Sequence, residues 1–172
     1  FDEKPLETLG IQYNKLVWDG EWWRLITSIF LHDDIYHFGG NMLLLVLISK
    51  NLHNYYSKIQ YSVIYLLTGL VGSFCTLLFM EENVVSLGAS GAVMGIGGVL
   101  FFRMFFGDNS RYLRRASNGL SIVIMIAYSL FYGLTQTDIN NWAHFSGFVT
   151  GFIIAWAIHL YEKDKQKNNS ET

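Results

Sequence analysis

The sequence is poor in cysteine, proline and charge. Its single cysteine, Cys75, excludes an internal disulfide and a zinc site built from cysteines. Charged residues make up 15% of the chain, against about 25% in an average soluble domain. The net charge of -2 gives no basis for nucleic-acid binding. What is abundant is apolar: 51% of the residues are hydrophobic and 16% are aromatic.

Apolar stretches of membrane-spanning length occupy most of the chain. Crossing a bilayer takes roughly 20 apolar residues, and we predict five spans, at 25–49, 59–80, 84–106, 119–134 and 142–161. The first of them contains the polar segment His32-Asp33-Asp34, so we expect its helix to begin near Tyr36. The sequence therefore predicts an all-α membrane protein.

The basic residues indicate how these spans are oriented. If five spans alternate, nine of the twelve Lys and Arg residues lie on one side: Lys50, Lys58, Arg103, Arg111, Arg114, Arg115, Lys163, Lys165 and Lys167. By the positive-inside rule that side is cytoplasmic. We therefore predict a multi-pass protein with a cytoplasmic C-terminus.

The composition changes at both ends of the membrane domain. Residues 1–24 are too polar to span and carry Trp18, Trp22 and Trp23, which is typical of an interfacial segment on the outer side. Residues 162–172 are charged and lack core-forming side chains, which predicts a disordered cytoplasmic tail. Between them, residues 25–161 form one predicted membrane domain.

A serine flanked by glycines stands inside the third apolar stretch, in Gly88-Ala89-Ser90-Gly91. A serine at a helix start can offer its hydroxyl to a cavity, and the free N–H groups there can hold an oxyanion. The glycines let a substrate backbone approach closely. The alternative is that these small residues only allow helices to pack.

A histidine near the start of the last span makes the nucleophile interpretation stronger. His144 is predicted at the same membrane depth as Ser90, which favours its role as a base. Gly147 and Gly151 form a small-residue face that lets a neighbouring helix come close. No acidic residue is spaced to orient His144, so we predict a Ser-His dyad rather than a triad.

Two further polar side chains are predicted on the outer part of the first helix. His37 and Asn41 are four residues apart, hence on one helix face, and both can donate hydrogen bonds to a developing oxyanion. Alternatively they satisfy each other and nearby backbone groups. Zinc bound by His32, His37 and His144 is a further alternative, against which no other residues are spaced like a ligand set. The charges of Asp33 and Asp34 would favour a protonated His32 if they lie within about 4 to 6 Å of it.

Taken together, these residues resemble the rhomboid family of intramembrane serine proteases. Four motifs over about residues 18 to 155 carry the resemblance: Glu21-x-Trp23-Arg24, His32-x4-His37-x3-Asn41, Gly88-x-Ser90-Gly91 and Ala143-His144-x-x-Gly147. It implies a rhomboid-like helical bundle with six spans. The chain opens at Phe1 with no methionine, so we expect a fragment that lacks the first span.

The resemblance also implies roles for individual residues. Ser90 would be the nucleophile and His144 the general base, while the Ser90 N–H, His37 and Asn41 would form the oxyanion hole. His32 would keep the site ordered, and Trp23-Arg24 would anchor the outer segment. The implied substrates are transmembrane segments of other proteins, cut near their outer ends after a small residue. No metal and no cofactor is implied.

The chain departs from the family pattern at two places in the site. Met94 stands where many members have a tyrosine below the catalytic histidine, so a softer sulfur contact would replace the ring stack. Gly39 and Gly40 stand where some members have larger side chains, which predicts a roomier approach to Ser90.

Two other classes of function compete with the protease. One is an inactive rhomboid-like chaperone that binds substrate helices, although such relatives usually lack the serine or the histidine. The other is a transporter, although we find no inverted repeat.

We expect the substrate helix to approach past residues 119–134. The short loops favour a bacterial plasma membrane, and the oligomeric state stays open.

Overall fold

The computed structural model describes residues 4–108, 123–124, 126–127, 129, 131 and 140–171. In chain order its elements are α1 (Lys4–Leu9), β1 (Gln12–Tyr13), α2 (Asn14–Trp18), α3 (Arg24–Thr27), a 3-10 turn (Ser28–Phe30), α4 (Ile35–Leu52), α5 (Lys58–Phe79), β2 (Val85–Ser86), α6 (Ser90–Phe105) and α7 (Asn141–Glu171). The chain is therefore mostly helical, as the sequence predicts.

The starts of the long helices follow from their capping residues. Asp34 caps α4, because its carboxylate accepts hydrogen bonds from the backbone N–H groups of Tyr36 and His37. Ser57 and Gln60 form a reciprocal capping box at the start of α5. Helices α4, α6 and α7 begin at one end of the bundle, and α5 runs in the opposite direction.

Helix α6 lies at the centre of the bundle and is buried along almost its whole length. Its large apolar side chains, such as Ile96 and Leu100, pack in one cluster with Ile48 and Leu52 of α4 and Ile64 of α5. A helix that is apolar on every side belongs in such a central position. Ser90 is therefore held by the most buried helix among the described residues.

Glycines let α6 and α7 approach backbone to backbone. A methyl group at Gly147 would overlap the carbonyl of Gly91, and one at Gly151 would overlap the carbonyl of Gly95. At the next turn, a methyl group at Gly98 would overlap the Phe148 carbonyl. The two helices thus meet along a line of small residues, as the glycine spacing predicts.

A network of polar contacts ties the N-terminal segment to the bundle. The Gln12 amide donates to the Ser73 carbonyl (3.0 Å), and the Asn14 amide donates to the Glu81 carbonyl (3.0 Å). Strand β1 pairs antiparallel with β2, with Gln12 opposite Ser86. This small sheet was not predicted, and it fixes the chain just before the Ser90 turn.

The end of the bundle opposite the Ser90 turn is charged. The Arg103 side chain is buried there, and it donates to the Tyr56 hydroxyl (2.9 Å) and to the Glu162 carboxylate (3.1 Å). Lys163 lies 3.7 Å from the Asp108 carboxylate. Arg103 and Lys163, two of the nine basic residues predicted on one side, thus lie at the same end of the bundle, and the topology stays a prediction.

The predicted spans agree with the helices at three places. Two predictions need correction, one on the start of a span and one on the C-terminal tail. The predictions at 59–80 and 142–161 correspond to α5 and the apolar part of α7, and α4 begins at Ile35, one residue from the expected start. The span predicted from residue 84 begins only at Ser90, because 85–86 form β2. Residues 162–171, predicted as a disordered tail, continue α7 instead, since nothing there breaks the helix.

The number of spans stays a prediction. Among the described residues, two helices are both long and apolar enough to cross a membrane, Lys58–Phe79 and Asn141–Ser170, and Ser90–Phe105 is a shorter apolar helix. Most of the segment predicted at 119–134 lies outside the described residues, although those described between 123 and 131 are helical.

Candidate active site

A cavity of about 460 Å³ opens where α4, α6 and α7 begin. Its lining brings together six of the predicted site residues: His37, Asn41, Gly88, Ser90, Gly91 and His144. Asp33 lines it as well. Residues from three different helices thus converge on one space.

The turn before Ser90 is held by two backbone hydrogen bonds. Gly88 has a φ of 113°, and its N–H donates to the carbonyl of Ser28 (3.0 Å). The next N–H, of Ala89, donates to the Nε2 atom of His32 (3.3 Å). Glycine is needed at position 88 both for this φ and because a side chain would overlap the ring of His37.

Helix α6 starts directly at Ser90. No side chain caps this start, and the first N–H groups of an α-helix have no acceptor within the helix. These N–H groups and the Ser90 hydroxyl therefore lie together at the rim of the cavity. Such an arrangement can place a nucleophile beside donors for the oxyanion that its attack creates.

His144 lies in the first turn of α7 and is 7% exposed. Its backbone N–H donates to the Asn140 carbonyl (3.2 Å), and the neighbouring Ala143 N–H donates to the Asn140 side-chain oxygen (3.0 Å). The Nδ1 atom of His144 is buried and has no hydrogen-bond partner in the described part of the chain. No described carboxylate therefore orients the ring.

His37 is held by contacts on two sides. Its Nδ1 atom lies 2.6 Å from a carboxylate oxygen of Asp33, while its Nε2 edge faces the Cα of Gly88. Asn41 follows one helical turn later and donates to the His37 backbone carbonyl (3.2 Å). The structure thus gathers His37 and Asn41 beside the Ser90 turn.

The structure contradicts the hypothesis that the two aspartates protonate His32. Burial, followed by the charge of His37, lowers the pKa of His32 below its usual value, and Asp33 opposes this only weakly. The Asp33 carboxylate contacts His37 instead, and Asp34 caps α4. Since the His32 Nε2 atom accepts from Ala89, His32 acts as a neutral acceptor that supports the Ser90 turn.

The other predicted supporting residues lie outside the cavity lining. Met94 is buried in the core cluster, and Gly147 and Gly151 lie in the contact between α6 and α7. Arg24 is 5% exposed and donates to the carbonyls of Glu7 (2.8 Å) and Ile11 (3.0 Å). The Trp23 ring is half exposed with the Arg24 guanidinium over it.

Asn140 is a site residue that the sequence interpretation missed. Its side-chain amide donates to the hydroxyls of Thr76 (2.6 Å) and Ser86 (2.9 Å), so it ties the start of α7 to α5 and β2. Asparagine just before a helix is a known N-cap signal and could have been noticed. Its long-range partners could not be inferred from spacing.

The zinc alternative receives no support from the residues that the structure describes. Within them no group of three or more His, Cys, Asp or Glu side chains is arranged to hold a metal ion. The ring contact of His32 with His37, at 5.0 Å between centroids, is edge-to-face. We therefore do not propose a metal site.

The bundle and its cavity define the class: a helical membrane protein with a polar site at one end. A family model described as the Rhomboid domain matches residues 19–161. Rhomboid protease GluP of Bacillus subtilis is 34% identical over 157 residues, which cover 91% of this chain and 30% of GluP. RHOMBOID-like protein 2 of Arabidopsis thaliana is 33% identical over 154 residues, 89% of this chain and 48% of that protein.

YdcA of Bacillus subtilis is 31% identical over 144 residues, which cover 84% of this chain and 71% of YdcA. The chain therefore belongs to the rhomboid family, whose members include proteins named as proteases. The chain spans 30% of the length of GluP and 48% of the length of RHOMBOID-like protein 2.

The space beside Gly40 yields a testable prediction. Gly40 lines the cavity, and no atom lies within 4 Å of the place where its Cβ would be. We expect Gly40→Phe to fill the space beside Ser90 and to lower the rate at which a serine-directed fluorophosphonate probe reacts there about tenfold or more. Gly39→Phe is the matched control, because Gly39 also has open space but does not line the cavity. Equal labelling rates of the two variants would contradict the prediction.

Proposed function

We propose that this chain is an intramembrane serine endopeptidase that works by a Ser-His dyad. Ser90 attacks the scissile carbonyl while His144 accepts its proton, and His144 then returns that proton to the leaving amine. The Ser90 N–H, His37 and Asn41 donate hydrogen bonds to the oxyanion. The observation that carries this proposal is that these four side chains line one cavity.

The membership in the rhomboid family supports the same chemistry. GluP is named a rhomboid protease, and both dyad residues are present here at the positions that match the family motifs. The inactive chaperone therefore remains the weaker alternative. No observation on the described residues supports a transporter.

The proposed substrates are transmembrane segments of other membrane proteins. A substrate helix would unwind near its outer end, because an extended backbone has to reach Ser90 at the cavity. We propose approach past residues 119–134, most of which lie outside the described residues; Ser129 among them lines the cavity.

The proposed topology follows from the charges and the exposed aromatic residues. Residues 1–24 would lie at the outer interface, where Trp18, Trp22 and Trp23 are about half exposed. Residues 25–161 would form the membrane domain, and the C-terminus would face the cytoplasm of a bacterial cell.

A fluorophosphonate probe tests the proposal directly. We expect the detergent-solubilised protein to react at Ser90, as peptide mapping by mass spectrometry would reveal, because only an activated serine reacts quickly. Ser73 and Ser86 serve as internal controls, since they line the same cavity without a proposed base. If no serine carries the probe, or if Ser73 and Ser86 carry it as often as Ser90, the protease hypothesis is overturned and the chaperone is favoured.

A further inference from the structure

The proposed dyad and oxyanion hole use His37 but give no role to the carboxylate of Asp33, which also lines the cavity. The Nδ1 atom of His37 lies 2.6 Å from the Asp33 carboxylate. The opposite edge of the ring, with Nε2, faces Gly88 in the Ser90 turn. The His37 imidazole therefore stands between a carboxylate and the place where the oxyanion would form.

The chemistry of this pair indicates which ring nitrogen of His37 donates to Asp33. Burial of the Asp33 carboxyl acts to raise its pKa, but the hydrogen bond and the attraction from His37, together with two backbone hydrogen bonds, outweigh burial, so the net shift is downward. An ionised carboxylate only accepts hydrogen bonds, so the Nδ1–H of His37 donates to Asp33.

We propose that Asp33 is a positioning residue: it holds the Nδ1–H of His37 and thereby directs the opposite edge of the ring, with Nε2, at the oxyanion. The inference rests on the proposed function and adds a residue to its machinery. A hydrogen bond to an ionised carboxylate is roughly twice as strong as one between neutral groups. Asp33 thus acts on the reaction through His37, without touching the substrate.

A purely structural role explains the pair less well. The side chains of Asp33 and His37 are 41% and 33% exposed, and exposed ion pairs contribute little to folding stability. The cap of α4 is supplied by Asp34, whose carboxylate accepts from the N–H groups of Tyr36 and His37. The Asp33 carboxylate accepts one local backbone hydrogen bond, from the N–H of Asp34 (3.0 Å), and its other contact orients the ring of His37.

Four titratable groups surround His37 in the described part of the site. They are Asp33 at its Nδ1 atom, Asp34 at its backbone N–H, His32 against its ring, and His144 from α7 across the cavity. His32 is kept neutral by burial and by the charge of His37, which lower its pKa.

The test is the limiting rate of fluorophosphonate labelling at one fixed pH. In this reaction the Ser90 oxygen bonds to phosphorus, fluoride leaves, and the serine proton passes to His144, while the phosphoryl oxygen occupies the oxyanion position. We expect Asp33→Asn to lower the limiting labelling rate about fivefold to tenfold and to leave the probe's half-saturating concentration unchanged. Only the reacting oxygen gains charge, which is why the rate changes and binding does not.

Rescue by a conservative variant separates positioning from a structural defect. Asp33→Glu keeps a carboxylate that can accept from the Nδ1 atom of His37, so it should recover at least half of the rate lost in Asp33→Asn. Both variants should melt within about 2 °C of the wild type, because a partly exposed pair contributes little to stability.

Asp34→Asn is the matched control, because it removes the same charge one residue away and keeps a side chain that can cap α4. We expect it to lower the labelling rate less than twofold. Equal losses in Asp34→Asn and Asp33→Asn, or a wild-type rate in Asp33→Asn, would overturn the positioning role. Wild-type protein that is not labelled at all would instead refute the protease, and nitrogen-15 NMR of His37 would then still report whether its Nδ1–H donates to Asp33.

Discussion

Alanine at Ser90 is expected to lower cleavage of a single-span membrane substrate in proteoliposomes by about 10⁴-fold or more. The reason is that Ser90 is the proposed nucleophile, and no base is proposed for the other serines that line the cavity. His144→Ala should cause a loss of similar size, because the two residues act as one unit and their effects are not additive. The double variant should therefore be no less active than either single variant.

Matched controls exist for both substitutions. Ser73→Ala removes a hydroxyl from the same cavity, and His159→Ala removes a second buried histidine from α7, well away from Ser90. Both controls should retain at least half of the activity. The melting temperatures of all four variants show whether lost activity reflects chemistry or unfolding.

This experiment also separates the protease from the chaperone. If the protein is a chaperone, both the wild type and Ser90→Ala should bind a substrate helix, and neither should cut it. Cleavage that persists in Ser90→Ala would contradict the proposed nucleophile. Cleavage that persists in His144→Ala at more than about a hundredth of the wild-type rate would contradict the proposed base.

The helices that lie wholly in apolar sequence were predictable, and the segments that enter and leave them were less so. The start of α4 follows from a local signal, since Asp34 caps the helix after a polar segment. Val84 and Val85, by contrast, are as apolar as any residue of a span, yet α6 begins only at Ser90. The extended conformation of Val85 depends on pairing with Tyr13 of β1, which is distant in sequence, and hydropathy carries no information about that pairing.

The C-terminal prediction failed for a different reason. Hydropathy indicates where a helix stops being apolar, but a helix ends only where capping or a breaking residue ends it. Residues 162–171 contain no glycine or proline and are rich in Lys, Glu and Gln, which are good helix formers. The exposed end of α7 is therefore helical although it buries little surface.

The residue types of the site were predictable, but their partners were not. Ser90, His144, His37 and Asn41 were singled out from spacing and local context, and the structure brings them to one cavity. The prediction that Asp33 acts on His32 is wrong. His32 is its neighbour in sequence, whereas the turn before α4 directs the carboxylate to His37.

The glycine contact between α6 and α7 leads to the second large effect. Ser90 and His144 lie on these two helices, so the separation of the helices sets the distance between nucleophile and base. A single methyl group at Gly151 would overlap the Gly95 carbonyl, which is backbone and cannot rotate away. The helices would have to move apart, and His144 would move with α7.

We expect Gly151→Ala to lower stability by about 3 kcal/mol, at the upper end of the range for overpacking a core. For a chain of this size that corresponds to a fall in melting temperature of about 6–12 °C. Activity should fall by more than the unfolded fraction explains, because small displacements of catalytic groups cost rate steeply. Both quantities can be measured on the same detergent-solubilised sample.

Gly39→Ala makes the same chemical change where the structure leaves room. Gly39 lies inside α4, and no atom would come within 4 Å of its new methyl group. Since alanine favours a helix over glycine by roughly 1 kcal/mol, this variant should be as stable as the wild type or slightly more so. If Gly39→Ala and Gly151→Ala melted at the same temperature, close packing of α6 on α7 could not be what positions the two catalytic residues.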